Sequence, residues 1–127
     1  MNTSARILIV DDHASVRDGI RAFIENKTNF TVCGEAENGL TAIGQANNLK
    51  PDLIVMDLSL PLLSGIEAAS IVKSSHPEMK VVGFSMYSHE IGKAVSAASK
   101  LDAVLPKTSS LAALVETIQK VLDTAIN

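Results

Sequence analysis

Five side chains in this sequence are of the types that handle phosphate and hard metal ions. Asp11 and Asp12 directly follow the aliphatic run Ile7-Leu8-Ile9-Val10, and Asp57 directly follows Leu53-Ile54-Val55-Met56. Ser85 closes another mainly apolar stretch, and Lys107 comes shortly after Ala103-Val104-Leu105. Carboxylates gathered within a few ångströms repel, and an empty cluster pushes at least one pKa upward. A bound cation relieves that repulsion. Oxygen donors favour a hard cation, and two or three carboxylates with water suit octahedral Mg²⁺ better than a Ca²⁺ cage. Nothing nearby offers the thiolates or paired histidines that zinc prefers. A hydroxyl and an ammonium converging on such a site would bind a phosphoryl group.

Each of these residues also has an ordinary reading. The pair Asp11-Asp12 serves equally well as a helix cap or as metal ligands. Asp57 could be a turn residue ahead of Ser59 and Pro61, Ser85 a loop serine and Lys107 an exposed lysine. Only their coincidence at one edge of one sheet makes them a site, so the elements that carry them decide.

Ile7-Leu8-Ile9-Val10 is apolar at every position, as in a strand buried on both faces. Val16, Ile20, Phe23 and Ile24 then recur at i, i+4, i+7 and i+8, the stripe of a first helix. Thr31-Val32-Cys33-Gly34-Glu35 is a mixed strand suited to a sheet edge. Asn38 caps a second helix that runs to about residue 48, and Pro51 prevents its continuation. Leu53-Ile54-Val55-Met56 is the second fully buried strand. Ser64-Gly65-Ile66-Glu67 has the capping-box spacing and opens a third helix to about Ser75, before His76-Pro77. A fourth strand over 80–85, a fourth helix over about 88–99 and a short fifth strand at Ala103-Val104-Leu105 follow. In the last helix, from about Ser109, residues Leu111, Leu114, Val115, Ile118, Val121 and Leu122 make one stripe.

Five strands alternating with five helices predict an α/β fold, (βα)₅, with helices on both faces of a doubly wound parallel sheet. The flavodoxin-like strand order 2-1-3-4-5 centres the two most aliphatic strands. Ligands of such sheets bind beyond the carboxyl ends of the strands, where the order reverses between the first and third. Asp11, Asp12 and Asp57 fall there.

A chain of 127 residues is one domain, residues 1–127. Its net charge is -3, its eleven Lys and Arg are scattered and its aromatic residues are four, so it lacks the basic stripe or stacking platform of a nucleic-acid binder. No run approaches the roughly 18 apolar residues of a membrane span, and the first six residues are no secretory leader. The single cysteine, Cys33, has no partner for a disulfide and reads as a small buried hydrophobe. These features point to the cytoplasm. His13, His76 and His89 are not clustered at metal-binding spacing and read as helix-end or surface residues, although His13 directly follows the acidic pair.

The residues at the sheet edge resemble a known set. Asp11-Asp12, Asp57, the spacing Asp57-x-x-x-Pro61-x-x-x-Gly65, Ser85 and Lys107 are similar to the receiver domain of two-component response regulators. The wording Ile-Leu-Ile-Val-Asp-Asp-His-Ala-Ser-Val-Arg-Asp-Gly, with Phe84-Ser85-Met86-Tyr87, resembles the LuxR/NarL/FixJ-type subfamily, whose receivers precede a LuxR-type helix-turn-helix. The resemblance covers about residues 5–123. It implies a phosphoacceptor signalling domain, not an enzyme beyond its own phosphorylation and dephosphorylation. Asp57 would take a phosphoryl group from the phosphohistidine of a sensor histidine kinase. Asp12 and Asp57 would ligate Mg²⁺ directly, the backbone carbonyl of Ser59 would be a third protein ligand, and Asp11 would act through water. Lys107 would hold phosphoryl oxygens, and Ser85 would reach the group once attached. Met86, Tyr87 and Val104 would govern access and readout. The fourth helix, fifth strand and last helix would form the output face, through which a homodimer could also assemble.

Some positions depart from the pattern of that family. Val104 stands where Tyr or Phe is usual, Thr108 where Pro or Asp is usual, Lys100-Leu101 where Gly-Ala is usual, and Met86 where a small residue is common. The residues of the chemistry are complete while those of the readout are altered. A pseudo-receiver, an interaction module that works without phosphorylation, is therefore a second reading. A small phosphatase with an aspartate nucleophile ranks last, because Ser59 occupies the place of its second aspartate. The sequence ends soon after the last helix, as either a stand-alone receiver or the front of a longer regulator would.

Overall fold

The computed structural model of the chain describes residues 4–86 and 101–124. Five strands, β1 (Arg6–Val10), β2 (Thr31–Ala36), β3 (Leu53–Asp57), β4 (Lys80–Ser85) and β5 (Ala103–Pro106), form one parallel sheet in the order 2-1-3-4-5. Between them run the helices α1 (Ala14–Lys27), α2 (Gly39–Leu49) and α3 (Gly65–Ser75), and a C-terminal helix spans Leu111–Thr124. This is the expected flavodoxin-like arrangement. The helix expected over 88–99, and with it Tyr87, His89 and Lys100, lies outside the described residues.

The all-apolar runs 7–10 of β1 and 53–56 of β3 follow from burial on both faces. Successive side chains of a strand point to opposite sides. Ile7 and Ile9 enter a core with Ile20 and Ile24 of α1 and with Leu114 and Ile118 of the C-terminal helix. Leu8 and Val10 enter a second core on the other face, against Ala42 and Ala46 of α2 and Ala68, Ala69 and Val72 of α3. Strand β2 lies at one edge of the sheet, and its pairing with β1 slips between Ile7 and Leu8, so that Val32 and Gly34 are paired while Cys33 is skipped. Cys33 is therefore half-buried, not fully buried as the sequence suggested, with its Sγ 3.5 Å from the Ile7 carbonyl. Burial pushes its thiol pKa up, which makes it a poor nucleophile.

Local signals set the helix starts. The Asn38 side chain accepts the Thr41 N–H, and Ser64 with Glu67 completes a capping box. Ser110 Oγ accepts the Ala113 N–H at 3.0 Å, so the C-terminal helix begins slightly later than the expected Ser109. The start of β5 is tied down by Asp102, which accepts the Val81 N–H and pairs with Lys73 at 2.7 Å. Leu101, in place of a small residue, is buried in the α2/α3-side core. Among the described residues no helix is long and apolar enough to cross a membrane.

Candidate functional site

The carboxyl ends of the strands carry the acidic residues, the serine and the lysine that the sequence singled out for phosphate and metal chemistry. Asp11 is the first residue past β1, and its N–H donates to the carbonyl of Ala36 at the end of β2. Asp57 is the last residue of β3, in register with Phe84 of β4. Ser85 ends β4 opposite Pro106, and the Lys107 N–H donates to the Ser85 carbonyl at 2.7 Å. The sheet register thus brings residues 96 positions apart, Asp11 and Lys107, into contact.

That contact is an ion pair. Lys107 Nζ lies 2.5 Å from Asp11 Oδ2 and 3.2 Å from Asp57 Oδ2. All three side chains are nearly fully buried, with 7% or less of each exposed. The other Asp57 oxygen, Oδ1, accepts the Ser59 N–H at 3.0 Å. The loop after Asp57 is held by close packing: a Cβ on Gly65, at the start of α3, would lie 2.0 Å from the Asp57 carbonyl oxygen. Only glycine lets α3 begin there.

The electrostatics match the crowding. Burial pushes the Asp57 carboxyl above its ordinary range and the nearby Asp11 adds to this, while the Ser59 N–H and Lys107 work against it. Burial disfavours the Lys107 ammonium, but its bonds to Asp11 and Asp57 outweigh that and hold its pKa above the ordinary lysine value. Asp12 sits at the rim, with about a third of its side chain exposed. One donor atom each from Asp11, Asp12, His13 and Asp57 lies within 4.8 Å of the others, an acidic pocket that could bind a divalent metal.

Two contacts at this site had only partial sequence signals. His13 Nδ1 lies 3.2 Å from Asp11 Oδ1 and 3.0 Å from Asp12 Oδ1, although the histidine also stands at the start of α1. Arg17 donates through Nη1 to the Asp11 carbonyl at 2.6 Å and through Nε to Glu35 at 2.8 Å. Arg17 is half-buried one turn into α1, and Glu35 is the last residue but one of the neighbouring strand β2. An arginine six residues after a strand-end aspartate, with a glutamate on the adjacent strand, is the signal that finds it. The other expected residues are more dispersed. Met86 is 62% exposed and, with Phe84 and Lys107, lines a cleft of about 320 Å³ against α1. Val104 packs against the α2/α3-side core, and Thr108 is exposed. His76 ends α3 and meets Asn47 at 2.9 Å, a helix-end role as expected.

Comparison with known proteins gives a consistent picture. Residues 7–119 match the model of the response regulator receiver domain. The chain is 38% identical over 117 residues to the response regulator protein VraR of Staphylococcus saprophyticus, an alignment covering 91% of this chain and 55% of that protein. A two-component response regulator of the LuxR family from Aurantimonas sp. SI85-9A1 superposes with a TM-score of 0.87 at 31% identity, covering 95% of this chain and 86% of that one. A DNA-binding response regulator of the LuxR family from Staphylococcus aureus superposes with a TM-score of 0.85 at 26% identity, covering 93% and 98%. The chain spans about half the length of the VraR relatives it matches.

Proposed function

The chain belongs to the response regulator receiver domains, signalling domains of two-component systems, and on that premise we propose that Asp57 accepts a phosphoryl group from the phosphohistidine of a sensor histidine kinase. The observation that carries the reading is Asp57 itself: a buried carboxylate at the end of a central strand, paired with Lys107 and Asp11's neighbour in the same pocket. In the transfer, an Asp57 oxygen forms a bond to phosphorus as the bond from phosphorus to the donor imidazole nitrogen breaks, and the leaving imidazole takes a proton from water. Lys107, held between two carboxylates, shifts its ammonium onto a phosphoryl oxygen without leaving the pocket. The Ser59 N–H fixes the orientation of the Asp57 carboxylate.

Asp12 and Asp57 would hold Mg²⁺, with the Ser59 carbonyl as a further ligand and Asp11 acting through water. The donor chemistry fits: three carboxylates against one ammonium leave the pocket acidic, and oxygen donors suit a hard cation. When bound, the ion neutralises charge that builds up on the transferring group.

Ser85, buried at the end of β4, would bond the attached phosphoryl group and pull its loop inward, with the exposed Met86 at the access path. A phosphoryl group brings roughly -1.5 to -2 of charge and three acceptor oxygens, enough to reposition a hydroxyl. The response would pass to the face of β5, Val104 and the C-terminal helix, where an output domain or a second copy could dock. A coupling of about 1–3 kcal/mol would change partner affinity roughly 5- to 150-fold. We read residues 1–127 as one receiver unit, acting in the cytoplasm. One observation favours the phosphorylation-independent alternative: Val104, in the readout position, is a partly buried aliphatic residue packed against the α2/α3-side core.

Beryllofluoride with Mg²⁺ separates the two readings. An active receiver gives bound-fluoride resonances in ¹⁹F NMR that Asp57→Asn abolishes. Their absence in the unsubstituted chain would leave only the interaction module.

A further inference from the structure

We infer that His13 is a nitrogen ligand at the acidic pocket, one that lets it hold a borderline divalent ion such as Ni²⁺ as well as Mg²⁺. The inference rests on the reading of that pocket as a divalent-metal site and adds a ligand and an ion class to it.

His13 occupies the N-cap position of α1, yet its side chain makes no capping hydrogen bond. The ring turns instead to the two carboxylates beside it. Its Nδ1 is 3.0 Å from Asp12 Oδ1 and 3.2 Å from Asp11 Oδ1. Donors about 2.1 Å from an octahedral ion on neighbouring vertices stand about 3 Å apart, so this spacing suits a shared ion as well as direct bonding. Asp57 lies within the same 4.8 Å group. The His13 N–H also donates to Asp11 Oδ1 at 2.9 Å, which orients the carboxylate that the ring faces. The His13 side chain is 64% exposed, so an ion reaches it without opening the fold.

Ion identity then decides whether the ring is used. Mg²⁺ dehydrates reluctantly and prefers oxygen, so water keeps that vertex. Ni²⁺ favours imidazole nitrogen and ranks above Mn²⁺, Fe²⁺ and Co²⁺ in affinity for a given nitrogen site. His13 therefore sets a preference among ions while leaving Mg²⁺ binding to the aspartates.

Calorimetric titration of the untagged 127-residue chain with NiCl₂ and MgCl₂ tests this. His76→Asn and His89→Asn are included throughout, so that His13 is the sole histidine, and the pH is held one to two units above the ordinary imidazole value of about 6.5. His13→Asn should fold as well as the parent, because Asn is itself a good N-cap. It should weaken Ni²⁺ roughly tenfold or more and change Mg²⁺ by less than about twofold. In NMR the His13 ring signals should broaden with paramagnetic Ni²⁺ and lose that broadening in Asp12→Asn. Ni²⁺ affinity unchanged by His13→Asn, or both ions weakened equally, would overturn the His13 assignment while leaving the pocket intact. If neither ion binds, or both still bind after Asp12→Asn and Asp57→Asn, the metal-site reading falls with it.

Discussion

Asp57 combines a reactive position with an unfavourable one. Its folded pKa is raised, chiefly by burial, so ionising it costs more in the folded protein than in the unfolded chain. The sign follows: its contribution to stability is lost as pH rises from about 3.9 through the raised folded value. Asp57→Asn removes that charge while Lys107 keeps Asp11 as a partner. It should therefore stabilise the protein at pH 7 by about 0.5–2 kcal/mol, as relief of a strained functional site commonly does. Urea midpoints for the two proteins check this, and a less stable variant would show that the pairing with Lys107 outweighs burial. The sequence placed Asp11, Asp12, Asp57, Ser85 and Lys107 at one sheet edge because strand ends in a doubly wound sheet have fixed places. It could not reveal which way the His13 ring turns, or that Arg17 reaches the Asp11 carbonyl, because both depend on loop geometry and rotamers.

Helix and strand ends hold these side chains in place, and two substitutions probe that support. A Cβ on Gly65 would collide with the backbone of Asp57 and Leu58. Gly65→Ala should cost about 2–3 kcal/mol by forcing α3 off the strand end. It should also slow phosphorylation of Asp57, and denaturation with a phosphorylation time course reads both effects. Unchanged stability would mean that the close approach is not maintained in solution. On the opposite side of the pocket, α1 is tied to β2 through Glu35. Burial opposes its charge, but bonds from Arg21 and Arg17 prevail and hold its pKa below the ordinary carboxylate range. A depressed folded pKa means the unfolded chain takes up the proton first. Stability from this contact is thus complete above about pH 4.3 and falls as pH drops through the folded value. Glu35→Gln should flatten that part of the acid-stability curve, followed by thermal melts at stepped pH; an unaltered slope would contradict the assignment. The caps at Asn38 and Ser64 were readable from residue type and spacing. The slip that leaves Cys33 half-buried was not, since pairing register between strands is a long-range property.

The overall plan was the most readable of all. Two strands that each hold four consecutive apolar residues demand cover on both faces, and alternation with amphipathic helices supplies it; the order 2-1-3-4-5 then follows. That order alone places Asp11 beside Asp57 and brings Lys107 across from both. Less could be read about signalling, because it depends on how β4, β5 and the C-terminal helix respond together and on partners of the longer relatives. The most direct measurement is intact mass after incubation with acetyl phosphate. With Mg²⁺ the chain should gain the mass of one phosphoryl group, and should gain none after EDTA or in Asp57→Asn. No gain in the unsubstituted chain, or a gain that persists in Asp57→Asn, would contradict phosphoryl acceptance at this site.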